Sequence, residues 1–416
     1  MADEINGAHT EQLSFLAVAV CRLERGKNII MLSINNALNL LAAGLLMSIS
    51  HSSWAVKSCA LKSGMSSASL TVPLSPPVIS AGADVPIGTI IYQGSWSNAP
   101  LVSVDCPSDG NAGVANWAVA ILQAPYALSG LNTGPFAGAV YQTSIPGIGV
   151  VISRYNNRAA ATLGTMGYRD EDVEIGTLGG EVNFSGATRY ISLIKTGPLT
   201  PGSYSLSAAS LPTVSDNMVN SRTGVAIPGL PIQLNRVTFQ GNLTISTQTC
   251  TTPDITVDLG SHDIREKFRG INSTSPWVDA SIMLTNCPTF FGFYNQTNTT
   301  RMMDFNSGVG TASQSINNSI GVRLTPVTTV IDSANGIMAI DATRPDAASG
   351  VGIQIGWGDS GQTPIPFNFA AEQTVILPKD GSPTIRVPLA ARYIQTAGNP
   401  TPGKADGKVT FTINYY

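Results

Sequence analysis

Charge is what this chain has least of. Asp, Glu, Lys and Arg make up 12% of its 416 residues, against about 25% in an ordinary soluble domain. So little charge excludes a fold of long, salt-bridged helices. No Lys/Arg cluster occurs and the formal charge is −3, which argues against nucleic acid as a partner. Histidine is scarce as well: of the 3 in the chain, only His262 lies beyond residue 55. With no Cys-x-x-Cys pair either, a structural zinc site is not expected, nor is any cofactor. Internal repeats, heptads and charge blocks are all missing. Beyond residue 55 no apolar run could span a membrane, which takes about 20 residues, so stable membrane insertion is not expected.

What the chain does have is 41 Gly and 26 Pro, with Thr, Ser, Asn, Val and Ile filling much of the rest. Such a composition builds cores from many short strands and turns. Its length allows two or three domains. The N-terminus reads as an address. Arg22, Arg25 and Lys27 precede the apolar run Ala37–Ser50, and Ser53-Trp54-Ala55 offers small residues for cleavage after Ala55. This predicts a secretory signal peptide over residues 1–55, the alternative being a membrane anchor. Asp3, Glu4 and Glu11 make the first residues acidic, which suggests an over-extended start. Four cysteines follow: Cys59, Cys106, Cys250 and Cys287. An even count in a secreted chain suggests disulfides. Three pairings are possible. The local one, Cys59 with Cys106 and Cys250 with Cys287, closes two loops of about 40–50 residues, each contributing about 4 kcal/mol in the chain-entropy model.

Strand patterns recur at 87–93, 101–105, 117–122, 150–154, 181–184 and 190–195. A second group lies at 255–259, 280–284, 320–324, 352–355, 385–389 and 409–416. Gly, Pro, Asn and Ser punctuate both groups. They predict an all-β chain of two antiparallel sandwiches, residues 56–245 and 246–416, divided in the polar stretch Gly241–Thr249. The last strand is the sharpest signal. Val409, Phe411, Ile413 and Tyr415 alternate with Lys408, Thr410, Thr412 and Asn414, giving one apolar and one polar face. An apolar edge without a partner is an aggregation hazard. Either an earlier part of the chain or another protein is therefore expected to cover it.

Arg386–Tyr393 and Pro402–Tyr416, with a Gly-containing turn, an alternating strand and a penultimate Tyr415, resemble the C-terminal signature of pilin subunits of the chaperone–usher pathway. Cys250-Thr-Thr-Pro and Asn286-Cys287 resemble the cysteine pair of that domain. The resemblance implies an incomplete immunoglobulin-like fold in 246–416, its groove filled first by a periplasmic pilus chaperone. The outer-membrane usher and the donor strand of the adjacent pilin subunit are the further implied partners. Val409, Phe411, Ile413 and Tyr415 become the alternating positions of that interface, and Tyr416 brings the carboxylate that the chaperone grips. A complete sandwich, whose last strand is simply an inner one, is the alternative. A whole domain precedes Cys250 where shaft subunits carry a short donor extension. The expected product is a two-domain adhesin, secreted through the periplasm to the fimbrium tip.

In residues 56–245, Val85–Tyr92, Val104–Cys106, Val140–Arg154 and Tyr190–Tyr204 resemble the receptor-binding domain of type 3 fimbrial adhesins, an immunoglobulin-like or jelly-roll sandwich. The resemblance places a ligand pocket along Ile90–Gln93, Val140–Tyr141 and Val151–Arg154, with Ile90, Gln93, Val140, Tyr141, Val151 and Arg154 as site residues. It departs at Val151, where the resembled adhesins carry a basic residue, so host glycan and matrix protein both stay open as ligands. From the residues alone, Trp96 and Tyr155 offer planar faces in Ser95–Pro100 and Tyr155–Asn157, which read as exposed loops, the usual place for binding residues. Gln93, Asn98, Asn132, Asn156 and Asn157 can add hydrogen bonds. A structural minor pilin that caps the fibre without binding a receptor is the alternative function. An enzyme is not expected. Gly358-Asp-Ser-Gly361 mimics a serine-protease nucleophile, but Gln362 follows it and His262 would have to serve as base.

Overall fold

Fourteen strands carry the fold. In the first half they are β1 (Ala68–Pro73), β2 (Ile90–Ser97), β3 (Gly113–Gln123), β4 (Ile148–Ser153), β5 (Thr188–Lys195), β6 (Thr213–Asn220) and β7 (Asn235–Gln240). In the second they are β8 (Thr300–Asp304), β9 (Val309–Thr311), β10 (Ser319–Pro326), β11 (Val351–Trp357), β12 (Gln373–Ile376), β13 (Leu389–Gln395) and β14 (Val409–Tyr415). Shorter strands join them, and among the described residues the one α-helix is Ile264–Lys267. The computed structural model describes residues 58–97, 101–108, 110 and 112–416. The expected signal peptide and Asn98 lie outside them. Among the described residues no helix is long and apolar enough to cross a membrane.

Two sheets face each other in the first half. One runs β3–β6–β7–β1, its last pair parallel. The other runs β9–β8–β2–β5–β4. Strand alternation explains the core between them. From β2, β5 and β4, Tyr92, Trp96, Ile191, Leu193, Val150 and Ile152 point inward, where they meet Val119, Val214 and Val237 of the opposite sheet. Trp96 stacks edge-on against Phe239 at 5.5 Å. One charge crosses this core: Arg189 of β5 pairs with Asp216 of β6, both side chains fully buried, and Asn235 Nδ2 donates to the same carboxylate at 3.0 Å. Burial of a pair like this is tolerated only with added hydrogen bonds.

The second half has its own core, in which Leu284, Ile320, Val322, Met338, Phe367, Leu377 and Val387 are buried. One of its sheets is short, β12–β10–β14. The disulfides are Cys59–Cys106 and Cys250–Cys287, the local pairing.

The halves are stitched together, and the described residues form one compact unit. Strand β8 belongs to the second half by sequence yet pairs in parallel with β2, Arg301 opposite Ser95. Its Met302, together with Tyr294, enters the first core. Gly241–Thr249, the polar stretch in which the domain boundary is expected, contains a strand, Asn242–Ser246, paired with Ser203–Ser207. Nor do residues 255–259 form the expected strand: among the described residues 252–262 no β-ladder forms. They keep the alternation, with Leu259 buried, Val257 half-buried and Ile255 exposed. What they lack is a neighbouring strand to bond.

Candidate functional site

Among the described residues the last strand is paired with another strand on one side only. Strand β14 pairs antiparallel with β10 from Val409 opposite Pro326 to Tyr415 opposite Ile320, and its other edge meets no strand among the described residues. Its apolar face packs on the second core, but only Tyr415 is buried; Val409, Phe411 and Ile413 stay half-exposed. The far end is pinned. Tyr415 Oη accepts from the Cys250 N–H at 3.0 Å, and its ring stacks on Phe290 at 6.3 Å. Burial raises its pKa. Tyr416 exchanges backbone hydrogen bonds with Ser319, and Asn318 Nδ2 donates to its oxygen at 3.2 Å.

The first half also holds this end. Asp84 N–H donates to Tyr415 O at 3.0 Å, and Tyr415 N–H donates to Asp84 Oδ2 at 2.8 Å. A Cβ on Gly82 would lie 2.2 Å from Tyr415 O, so only glycine allows this approach.

The residues expected to bind a ligand fall into three environments. Ile90, Val140 and Val151 do come together, but in a closed apolar cluster with Leu131, Phe136 and Ile194. Tyr141 is buried too, its Oη accepting from Leu163 N–H at 2.7 Å. Trp96 corrects the sequence expectation of an exposed loop. Strand β2 runs on to Ser97, so alternation turns Trp96 into the core, where it is fully buried.

Gln93 faces the outside of the sheet yet is fully buried. Its Nε2 donates to Asn156 O at 2.7 Å and Ser192 Oγ at 2.8 Å. Its Oε1 accepts from Thr299 Oγ1 at 2.6 Å. Asn156 Nδ2 in turn donates to Gln296 O at 3.3 Å. Gln93 is thus a joint between the halves.

Arg154 and Tyr155 are half-buried. Arg154 Nη1 donates to Thr188 O at 3.0 Å. Burial, and then the charge of Arg189, lower its pKa to about 10. Tyr155 lies under Arg158, 4.2 Å from its ring centroid, and its Oη accepts from Asp170 N–H at 3.0 Å. In the protease-like turn, Asp359 pairs with Arg386, while His262 contacts Leu259 O at 2.9 Å and the ring of Tyr393.

Sequence reading missed the wall beside β2. The hairpin β8–β9 was signalled by Asn306-Ser-Gly308, whose glycine has φ 75°, but no local pattern reveals that it docks on β2. Together they frame a cavity of about 520 Å³ on the outer face of the sheet.

Comparison with known proteins gives four likenesses. Residues 237–416 match the family described as fimbrial protein. A fimbria adhesin protein of Klebsiella pneumoniae is 24% identical over 334 residues, covering 80% of this chain and 87% of the relative. Among solved structures, the CupB6 tip adhesin of Pseudomonas aeruginosa aligns over 86% of this chain and 94% of its own, at 15% identity and a TM-score of 0.32. The receptor-binding domain of the plasmid-borne adhesin MrkD1P of Klebsiella pneumoniae aligns over 47% of this chain and 98% of its own, at 21% identity and a TM-score of 0.28.

Proposed function

We propose, from the match of residues 237–416 to the fimbrial protein family, that this chain is a fimbrial tip adhesin assembled by donor-strand complementation. The observation that carries this reading is the open edge of β14. Val409, Phe411 and Ile413 are only half-buried where they pack on the second core, along an edge that no strand among the described residues pairs. Completing the burial of a large apolar side chain stabilises by about 1.5–3 kcal/mol when it starts fully exposed. At most about a third of that remains to be gained at each of the three side chains, a modest apolar pull on an incoming strand. Backbone hydrogen bonds along the edge would add affinity, and the alternate side chains would set register.

In this reading a periplasmic pilus chaperone covers the edge first and the outer-membrane usher receives the complex. The extension of the adjacent subunit then replaces the chaperone strand. A sandwich of about 190 residues precedes Cys250 in place of a short donor segment, which supports a position at the fibre tip. It carries the surface that meets a host glycan or a matrix protein, and the name of the Klebsiella relative, a fimbria adhesin protein, supports that role.

Two experiments test the proposal. The full chain should co-purify with its pilus chaperone, and the chain lacking residues 409–416 should not; equal capture of both overturns the assembly mechanism. Fibres carrying the chain should bind a glycan array or immobilised matrix proteins. Normal fibres that bind neither leave a structural minor pilin and remove the adhesin.

A further inference from the structure

We propose that the cavity framed by β2, β5 and the hairpin β8–β9 is a carbohydrate-binding site. This rests on the adhesin reading and names its ligand class and its place. Strand alternation builds the floor: Ser95 of β2 and Thr188 and Tyr190 of β5 all point to the outer face, Tyr190 directly opposite Ser95. The hairpin supplies the wall with Arg301, Asp304 and Thr311. The remaining three of the nine lining residues are Ser or Thr, so no aliphatic or sulfur-bearing side chain among the described residues lines the cavity.

Three properties select the ligand. First, the volume of about 520 Å³ lies within the range of small-molecule sites, about 300–1,000 Å³, and suits one or two sugar rings. Second, the charges balance. Arg301 Nη1 donates to Asp304 Oδ2 at 3.2 Å, so an anionic ligand meets Asp304 and a cationic one meets Arg301. A neutral ligand rich in hydroxyls meets neither penalty.

Third, the hydrogen-bonding groups are available in both senses. Among the described residues the side-chain hydroxyls of Thr188, Tyr190 and Thr311 make no hydrogen bond, and Arg301 uses its guanidinium only on Asp304. Ser95 Oγ donates to Thr300 O at 3.2 Å and keeps its lone pairs for a ligand. Backbone donation from Asn306 N–H at 2.9 Å fixes Asp304 and is the main cause that holds its carboxylate below the usual range. It is therefore a charged acceptor at neutral pH. Convergent donors and acceptors beside the planar face of Tyr190 are what a sugar ring requires. The floor comes from one half of the chain and the wall from the other, so neither half holds the site alone.

The test uses the full chain held by its chaperone, an array of mammalian-type oligosaccharides, and immobilised collagen. The expected result is saccharide binding that Arg301→Ala and Thr188→Val each weaken about tenfold or more, as loss of a charged or convergent hydrogen bond does. Tyr190→Phe should keep most of it, and the unfolding midpoint of every variant should stay unchanged. Saccharide binding indifferent to these substitutions overturns the cavity and leaves the adhesin reading standing. Binding to collagen with no saccharide bound overturns the carbohydrate and again leaves the adhesin. Binding to neither removes both.

Discussion

Strands β2 and β14 carry the same kind of sequence and meet opposite fates. Both alternate apolar and polar side chains. Strand β2 is paired on both sides, by β5 and by β8, and all eight of its residues are buried. Strand β14 is paired only by β10, and its Phe411 and Ile413 stay half-exposed. The difference lies in what the rest of the chain supplies. A strand from the second half closes the edge of the first sheet, while none among the described residues closes the edge of β14. A closed edge makes a rigid floor, on which a cavity can be built. An open edge makes an acceptor.

Substitutions can break this contrast, and the largest effect is expected at the open edge. Phe411→Asp puts a charge on the apolar face of β14 and should abolish chaperone capture. The protein should then vanish from the periplasm, measured by its steady-state level. The same kind of change at exposed Thr410 should leave that level near wild type. Next in size is the closed region. Arg189→Met removes the buried partner of Asp216 and should cost about 3–5 kcal/mol in denaturant unfolding, with chaperone capture retained.

A smaller effect belongs to the joint between the halves. Thr299→Val removes the hydrogen bond to Gln93 and should cost about 1 kcal/mol, or somewhat more because Gln93 Oε1 is left buried. Hydrogen exchange should quicken in β8 and not in β14.

The smallest effect is one of pH. Burial raises the pKa of both Tyr92 and Tyr415. A raised phenol contributes stability that is fully present below its unfolded value, about 10, and lost as pH rises past it. Arg154, lowered to about 10, works in the opposite sense. The comparison is therefore made between variants: the alkaline loss of stability should be shallower in Tyr92→Phe and in Tyr415→Phe than in wild type, more so for Tyr92, measured by unfolding at pH 8 to 11 (about that range brackets the phenol).

Much of this contrast was legible in the sequence where the signal is local. Period-2 alternation marks 190–195, 320–324 and 409–415, and each is a strand. The same pattern misleads at 255–259, because alternation reports a half-buried extended chain and does not reveal whether a neighbour exists to bond it. Trp96 was misplaced by its Ser and Asn neighbours, which look like a loop although the strand continues to Ser97. The cavity was not legible at all. Its wall comes from residues more than a hundred positions beyond its floor, and the parallel docking of β8 on β2 leaves no trace in either segment alone. Gln93 was named as a binding residue for its amide, and the amide is used, but on Asn156, Ser192 and Thr299.

The open edge of β14 is the central claim, and hydrogen exchange tests it most directly. In the full chain without its chaperone, the amides of residues 409–414 should divide, that of Tyr415 being held already by Asp84 Oδ2. Those bonded to β10 should be protected, and alternate ones facing the open edge should exchange at rates near those of unfolded chain. Addition of the chaperone should slow that second set by orders of magnitude and leave the first nearly unchanged. Uniform protection of 409–414 before the chaperone is added would contradict the account, because it would mean that the chain already covers its own edge.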